Sequence, residues 1–327
     1  MKTYNVLIVG LGSIGHRHIK ILKETVACEI SVLREKNKIP EMLPGVKEFL
    51  FSWEDIKKRN FDFAVICNPT SLHVRTAIAL AKRGIPFLME KPVYIDREQI
   101  AKLVHLVEEK KLPVLVGFYL RHHVLYQKIK EIIASAALGK LLSLSSETGQ
   151  YLPDWRAYDY RQSFSGRKAL GGGVIFELTH EIDLAIDLMG KVDFVSCLKG
   201  KLSSLKIETE DVAEITLSHQ DGSISHLHLD YLQKQYTRKV KLIFEKGEIL
   251  WDYSQGTLVI TTQNKKREIR QPAHYTRDDI FKAQLKHWLQ VFKGKREPAV
   301  SLEGGIYVSD VAIAAHRSSD NKKWIRP

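Results

Sequence analysis

The stretch from Tyr4 to His18, "YNVLIVGLGSIGHRH", decides how the rest of the chain is read. It opens with an apolar run of the kind buried on both faces of a parallel sheet. Gly10, Gly12 and Gly15 follow in G-x-G-x-x-G spacing, and helical periodicity begins in "HRHIKILKE". The first glycine permits a tight turn, the second lets a pyrophosphate approach the backbone, and the third lets helix and strand pack closely. N–H groups at the helix start, around Ser13 and Ile14, are free to receive phosphates. A dinucleotide site is expected here.

Working outward, residues 28–34, 61–67, 85–90 and 112–118 are further buried strands, with helical segments near 53–59, 71–83 and 96–110. This βαβα rhythm argues for a parallel sheet covered on both sides by helices. The second strand ends in Arg34, where an acidic residue usually takes the adenosine ribose hydroxyls. A guanidinium there suits a 2′-phosphate and tilts the expectation from NAD towards NADP. Alternatively, Arg34 stacks on adenine while Glu35 reads the ribose. "CNPTSLH" (67–73) and "MEKPV" (89–93) also lie at carboxyl ends of strands, where such sheets bind ligands. Asn68, Pro69, His73, Glu90 and Lys91 therefore join the candidate cofactor residues.

Past residue 120 the rhythm changes. A helix candidate at 123–136 leads to a strand, an irregular aromatic stretch, and a helix read continuously through "VIFELTHEIDLAIDLMG". From about 192 to 270 the period is two: Ala213, Ile215 and Leu217 alternate with Glu214, Thr216 and Ser218, and Leu227, Leu229 and Tyr231 with His226, His228 and Asp230. Such alternation means a sheet apolar on one face, mostly antiparallel and covered by helices. Helices near 276–292 and 303–317 close the chain. Two domains are expected, a dinucleotide-binding α/β domain over 1–120 and an α+β domain with a large open sheet over 121–327.

The chain has 327 residues, 44% hydrophobic and 27% charged, which fits a folded protein and excludes a disordered or fibrous one. No apolar run reaches the ~18–20 residues of a membrane span, and no export leader is read at the start. Cys28, Cys67 and Cys197 form no CxxC pair, so a reducing cytoplasm is expected rather than a disulfide framework or a zinc cage. The net charge of +12 is scattered; its densest cluster, "NKKREIR" (264–270), reads as a solvated hairpin tip rather than a nucleic-acid patch. "HLH" (226–228) reads as sheet surface, and no metal is expected.

Taken together, "GLGSIGHRH", "AVICNPTSLHVRTAIALAKRGIPFLMEKPV", "VGFYLRHH" and "GGGVIFELTHEIDLAIDLMG" resemble the Gfo/Idh/MocA family over roughly the first 190 residues. The resemblance implies a Rossmann domain, a second domain with a large open antiparallel sheet, and hydride transfer between NAD(P) and a secondary alcohol of a sugar or cyclitol. It also implies that Lys91 is the catalytic lysine and His180 the catalytic histidine. Family members often carry an aspartate four residues before that histidine; this chain has Phe176 there and Glu177 at minus three. On a continuous helix Glu177 would still share a side with His180 and could orient it.

An imidazole suits proton transfer near neutrality, whereas a lysine needs desolvation or a nearby positive charge to act as base and otherwise polarises the substrate oxygen. Which of the two accepts the proton stays open. The segment 150–173 resembles its counterpart in family members from bacterial surface-sugar pathways. There, aromatic rings could stack on sugars and arginines could pair with phosphate or carboxylate. Tyr119, Arg121, Trp155, Arg156, Tyr160, Arg161 and Asp183 are the candidate substrate contacts. The substrate expected is a small sugar or nucleotide sugar, and a broad sheet surface favours a homodimer or homotetramer. A cofactor-binding regulatory protein that has lost turnover is the alternative.

Overall fold

The computed structural model describes residues 2–34, 43–155 and 159–327, the side chain of Gln162 excepted. The chain divides into two compact units, residues 1–119 with 276–306, and residues 120–275 with 307–327. A division at residue 120 thus needs a correction, because residues 276–306 return to the first unit. Their helix is built for that return: Ile280, Phe281, Leu285, Trp288 and Leu289 form an apolar stripe that is buried there.

In the first unit, strands β1 (Tyr4–Val9), β2 (Cys28–Leu33), β3 (Val46–Leu50), β4 (Phe63–Ile66), β5 (Phe87–Glu90) and β6 (Val114–Gly117) form one parallel sheet in the order β3-β2-β1-β4-β5-β6. Helices α1 (Ser13–Thr25), α2 (Trp53–Lys57), α3 (His73–Lys82) and α4 (Ile100–Glu109) connect them, and α8 (Arg277–Phe292) packs on α1 and β6. The strand order reverses between β1 and β4, creating the switch point where doubly wound sheets bind ligands. Strand β3 is the one element of this sheet that the sequence reading lacked. The core is largely aliphatic, with Tyr4, Phe63, Trp288 and Phe292 forming an aromatic cluster at one end.

The second unit contains α5 (Val124–Ala134), β7 (Leu141–Gly149), a run of single 3₁₀ turns through residues 152–170, α6 (Val174–Glu177) and α7 (Thr179–Met189). Strands β8 (Val192–Gly200), β9 (Val212–His219), β10 (Ile224–Asp230), β11 (Thr237–Phe244), β12 (Gly247–Asp252), β13 (Thr257–Thr262) and β14 (Lys266–Arg270) follow, and the part of α9 (Leu302–Asn321) from Tyr307 onward comes last. The eight strands run β14-β13-β12-β11-β7-β10-β9-β8, antiparallel except where β7 and β10 pair in parallel. The expected alternation holds: Ala213, Ile215, Leu217, Leu227 and Leu229 are buried on the face covered by α6 and α7. The basic run "NKKREIR" forms a turn and then the outermost strand itself, where charged side chains discourage further strand pairing. At the opposite edge, Ile325 pairs with Val195, and the Ser318 and Ser319 hydroxyls accept the Cys197 and Lys199 N–H groups of β8. Among the described residues, no helix is long and apolar enough to cross a membrane.

Candidate active site

In the first unit the glycine turn follows β1. Gly10 has φ +97°, and a Cβ there would lie 2.6 Å from the Asn68 backbone; a Cβ on Gly15 would overlap the Gly10 carbonyl oxygen. Both glycines are required by the fold. Gly12 differs, since a Cβ there would meet nothing within 4 Å. Protein packing does not demand a glycine at that position, whereas close approach of a phosphate does. Helix α1 begins at Ser13, Ile14 and Gly15 with no capping side chain and no acidic residue in its first turn, so its positive end is available to an anion. Arg34 lies just past β2, beside the Gly10 turn, and its Nε is buried with no hydrogen-bond partner among the described residues. These features fit an NAD(P) pyrophosphate and ribose. Glu35 lies outside the described residues.

At the ends of β4 and β5, the site residues are organised through one another. His73 is buried, with Nδ1 2.8 Å from the Pro92 carbonyl and Nε2 2.9 Å from the Asn68 carbonyl. Burial holds its pKa below the usual imidazole range. The Asn68 amide donates to Thr76 Oγ1 at 2.8 Å, and Pro69 opens the 3₁₀ turn that precedes α3. Glu90 is buried against His18, and Lys91, half-buried, precedes a cis peptide bond to Pro92. Both ring nitrogens of His73 and Oε1 of Glu90, two residues expected as cofactor contacts, thus face partners inside the unit.

In the second unit, the helix read as continuous is broken at Leu178, whose backbone (φ −104°, ψ 30°) separates α6 from α7. Glu177 ends α6 and accepts a hydrogen bond from Ser165 Oγ at 2.6 Å, while His180 lies in the first turn of α7. The helical spacing expected to put them on one side therefore does not apply. His180 is 3% exposed, and Leu184 is buried beside the anticipated Leu178, Ile182, Ala185 and Met189. The glycines before α6 serve the local fold. Gly171 has φ +84°, a Cβ on Gly172 would overlap the Phe164 and Ser165 carbonyl oxygens, and a Cβ on Gly173 would overlap the Glu210 carboxylate.

Of the expected substrate contacts, Arg121 and Asp183 are brought together. Arg121 donates through Nε at 2.9 Å and Nη2 at 2.7 Å to Asp183, and through Nη1 at 2.7 Å to Asp187, which also accepts from Tyr126. Burial pushes the Asp183 carboxyl up to about 6, opposed by the guanidinium. Tyr119 falls in the first unit, buried and stacked on Phe281 at 4.8 Å, so it is a packing residue there. Trp155 donates to the Gln150 carbonyl, the Tyr160 hydroxyl accepts the Lys206 N–H, and exposed Arg161 is chelated by Asp159. Arg156 lies outside the described residues.

Sequence reasoning missed Glu181, which is fully buried and accepts from Thr148 Oγ1 at 2.7 Å and Arg238 Nε at 2.8 Å. A carboxylate in the first turn of an apolar helix was the only local signal; its partner is 57 residues away. His226 and His228 pair with Glu214, and among the described residues no cluster of His, Cys, Asp or Glu is arranged to hold a metal.

Comparison with known proteins agrees with this geometry. Residues 4–118 match the oxidoreductase family with an NAD-binding Rossmann fold, and residues 126–250 match the GFO/IDH/MocA C-terminal domain. The chain belongs to the Gfo/Idh/MocA family. It is thus an NAD(P)-dependent oxidoreductase, of a family that includes sugar and cyclitol dehydrogenases. Myo-inositol 2-dehydrogenase of Thermotoga maritima is 24% identical over 98% of this chain and 97% of its own length. Inositol 2-dehydrogenase of Corynebacterium glutamicum (strain R) is 25% identical over 75% and 73%. Levoglucosan dehydrogenase in complex with NADH has the same fold, with TM-score 0.89 and 17% identity over 99% of each chain.

Proposed function

We propose that this enzyme transfers hydride between NAD(P) and a secondary alcohol of a sugar, cyclitol or nucleotide sugar, with Lys91 and His180 as its catalytic residues. The observation that carries the reading is Gly12, whose open approach beside the uncapped start of α1 fits a pyrophosphate, at the sheet end where Lys91 also stands. Bound nicotinamide supplies the hydride acceptor. His180 accepts the hydroxyl proton as hydride leaves the carbinol carbon, and Lys91 polarises the oxygen and relays the proton. Arg34, with its buried Nε, favours NADP by pairing with a 2′-phosphate.

The aromatic and arginine-bearing segment 150–173 supports a nucleotide-linked or surface-polysaccharide substrate, and the three unpaired cysteines fit a reducing cytoplasm. Copies pair into dimers or tetramers through the sheet face opposite α6 and α7. This face carries exposed Leu198, Ile224 and Leu250 among charged neighbours. The deciding experiment follows nicotinamide absorbance with myo-inositol, levoglucosan and a series of UDP-sugars, each with NAD and NADP in parallel. Reduction with at least one of them is expected. No reduction with any polyol or sugar, despite tight NADH binding, would favour a regulatory protein. Sedimentation at micromolar concentration tests the assembly, and a monomer would refute it.

A further inference from the structure

We propose that the buried His18–Glu90 pair and His73 together form a positioning device for Lys91, holding the Glu90 side chain before it and the Pro92 carbonyl after it to two different helices. The proposal rests on the assignment of Lys91 to the reaction.

Glu90 is the last residue of β5 and is 8% exposed. A buried carboxylate is costly unless paired and hydrogen-bonded. Its Oε1 lies 2.7 Å from His18 Nε2. His18 comes from α1, three residues past Gly15, so the helix whose first turn meets the phosphates also grips the residue before Lys91. The imidazole is itself held, edge-on to Phe281 at 5.5 Å. Across the sheet, Glu90 pairs with Gly117, where a Cβ would come within 3.2 Å of the carboxyl group. A glycine there leaves room for the Glu90 side chain.

On the other side of Lys91, the Pro92 carbonyl lies 2.8 Å from His73 Nδ1, in the first residue of α3. The other nitrogen of that ring faces Asn68 O at 2.9 Å, so the imidazole lies between the Pro92 carbonyl and the turn after β4. A neutral imidazole donates through one nitrogen only, and burial favours the neutral form.

A strut needed only for stability would work as well with apolar side chains of similar volume. The polar version adds directionality, because hydrogen bonds fix a backbone far more narrowly than apolar contact does, and site geometry must hold within fractions of an ångström. His18, Glu90 and His73 touch neither substrate nor reacting atoms in this reading; they act through Lys91.

The test is pulse acetylation of the full-length protein by acetic anhydride, with the Lys91 rate read by mass spectrometry against exposed lysines as internal standards. Thermal melting and NADH titration of each variant run alongside. Lys91 is half-buried, so loosening its segment exposes the amine. In His18→Ala and Glu90→Ala, labelling of Lys91 rises roughly fivefold, the scale of one lost ordinary hydrogen bond. His18→Gln, which keeps a donor at similar reach, returns the rate to near wild type. His73→Ala gives a smaller rise, since one of its two contacts carries no proton. Folded His18→Ala and Glu90→Ala proteins with unchanged Lys91 labelling overturn the proposal, whatever their melting temperatures. So does a rise that His18→Gln does not reverse, because ring volume and not the hydrogen bond would then be responsible. Should Lys91→Ala turn over normally, the role of Lys91 in the reaction fails separately, as the labelling requires no substrate.

Discussion

Two glycine-rich turns precede the two helices that matter most here, and they owe their glycines to different causes. At 10–15, two glycines are demanded by the chain's own backbone and one, Gly12, by nothing among the described residues. At 171–173, each glycine answers to a positive φ or a neighbouring atom of the same loop. The first turn is a binding feature that folding also uses. The second is a folding feature that delivers His180. Glycine clustering alone does not mark a ligand; a glycine that packing does not require does.

The buried charges of the two units differ in the same spirit. Around Lys91 a carboxylate meets histidine, a weak and titratable partner; behind His180, Glu181 and Asp183 meet Arg238 and Arg121, which stay charged. The two sites are thus braced by different chemistry.

The largest expected effect tests whether both regions serve one reaction. Lys91→Ala and His180→Ala should each lower kcat by about 10²–10⁴-fold while NADH titration gives a nearly unchanged Kd. Normal turnover in either variant would remove that residue from the mechanism. Next, Arg238→Ala strands the buried Glu181 carboxylate, and chemical denaturation should register a loss of roughly 3–5 kcal/mol. A loss within experimental error would mean that the ion pair does not brace α7.

The glycine contrast itself is sharpened by Gly12→Ala and Gly172→Ala. Alanine at 12 should leave the melting temperature in place and weaken NADH binding by about tenfold, since the added methyl projects towards the approaching phosphate. Alanine at 172 should cost about 1–3 kcal/mol of stability, through overlap with two carbonyl oxygens, and leave NADH affinity alone. The reverse pattern would dissolve the distinction. The smallest effect lies on the outer face of the second unit's sheet, where hydrogen bonds to Asp230 and Glu214 raise His228 to about 9. A folded-state pKa above the unfolded value gives stability that is complete below the unfolded imidazole range and is lost as pH rises through 9. Half-exposed, the cluster should contribute about 1 kcal/mol, and Glu214→Gln, which leaves the Asp230 contact in place, should reduce the slope of stability between neutral and alkaline pH. An unchanged slope belongs to another group.

Much of this protein is legible before any coordinates. The parallel sheet follows from short apolar runs separated by helical periods, and the second sheet from alternation that puts Ile215 and Leu227 inside and Thr216 and His226 outside. Strand β3, "VKEFL", escapes because its lysine and glutamate break the apolar run expected of a buried strand, as an edge position allows. The break at Leu178 escapes because helical spacing of apolar and polar residues runs through it; on its two sides Glu177 accepts from Ser165 and Glu181 from Arg238, contacts made with distant parts of the chain. Arg121 and Asp183 look like free polar groups in a linear reading, and only long-range folding shows them bonded to each other across 62 residues.

Local pattern alone determined the two architectures and the glycine turn before α1, because periodicity and glycine spacing act over a few residues; Lys91 and His180 were singled out only through resemblance to a family. Tertiary structure decided which polar groups are engaged internally, which glycines answer to packing, and how the Lys91 segment is clamped. Those outcomes depend on atoms brought within 3 Å of each other by distant parts of the chain, and no local propensity encodes that proximity.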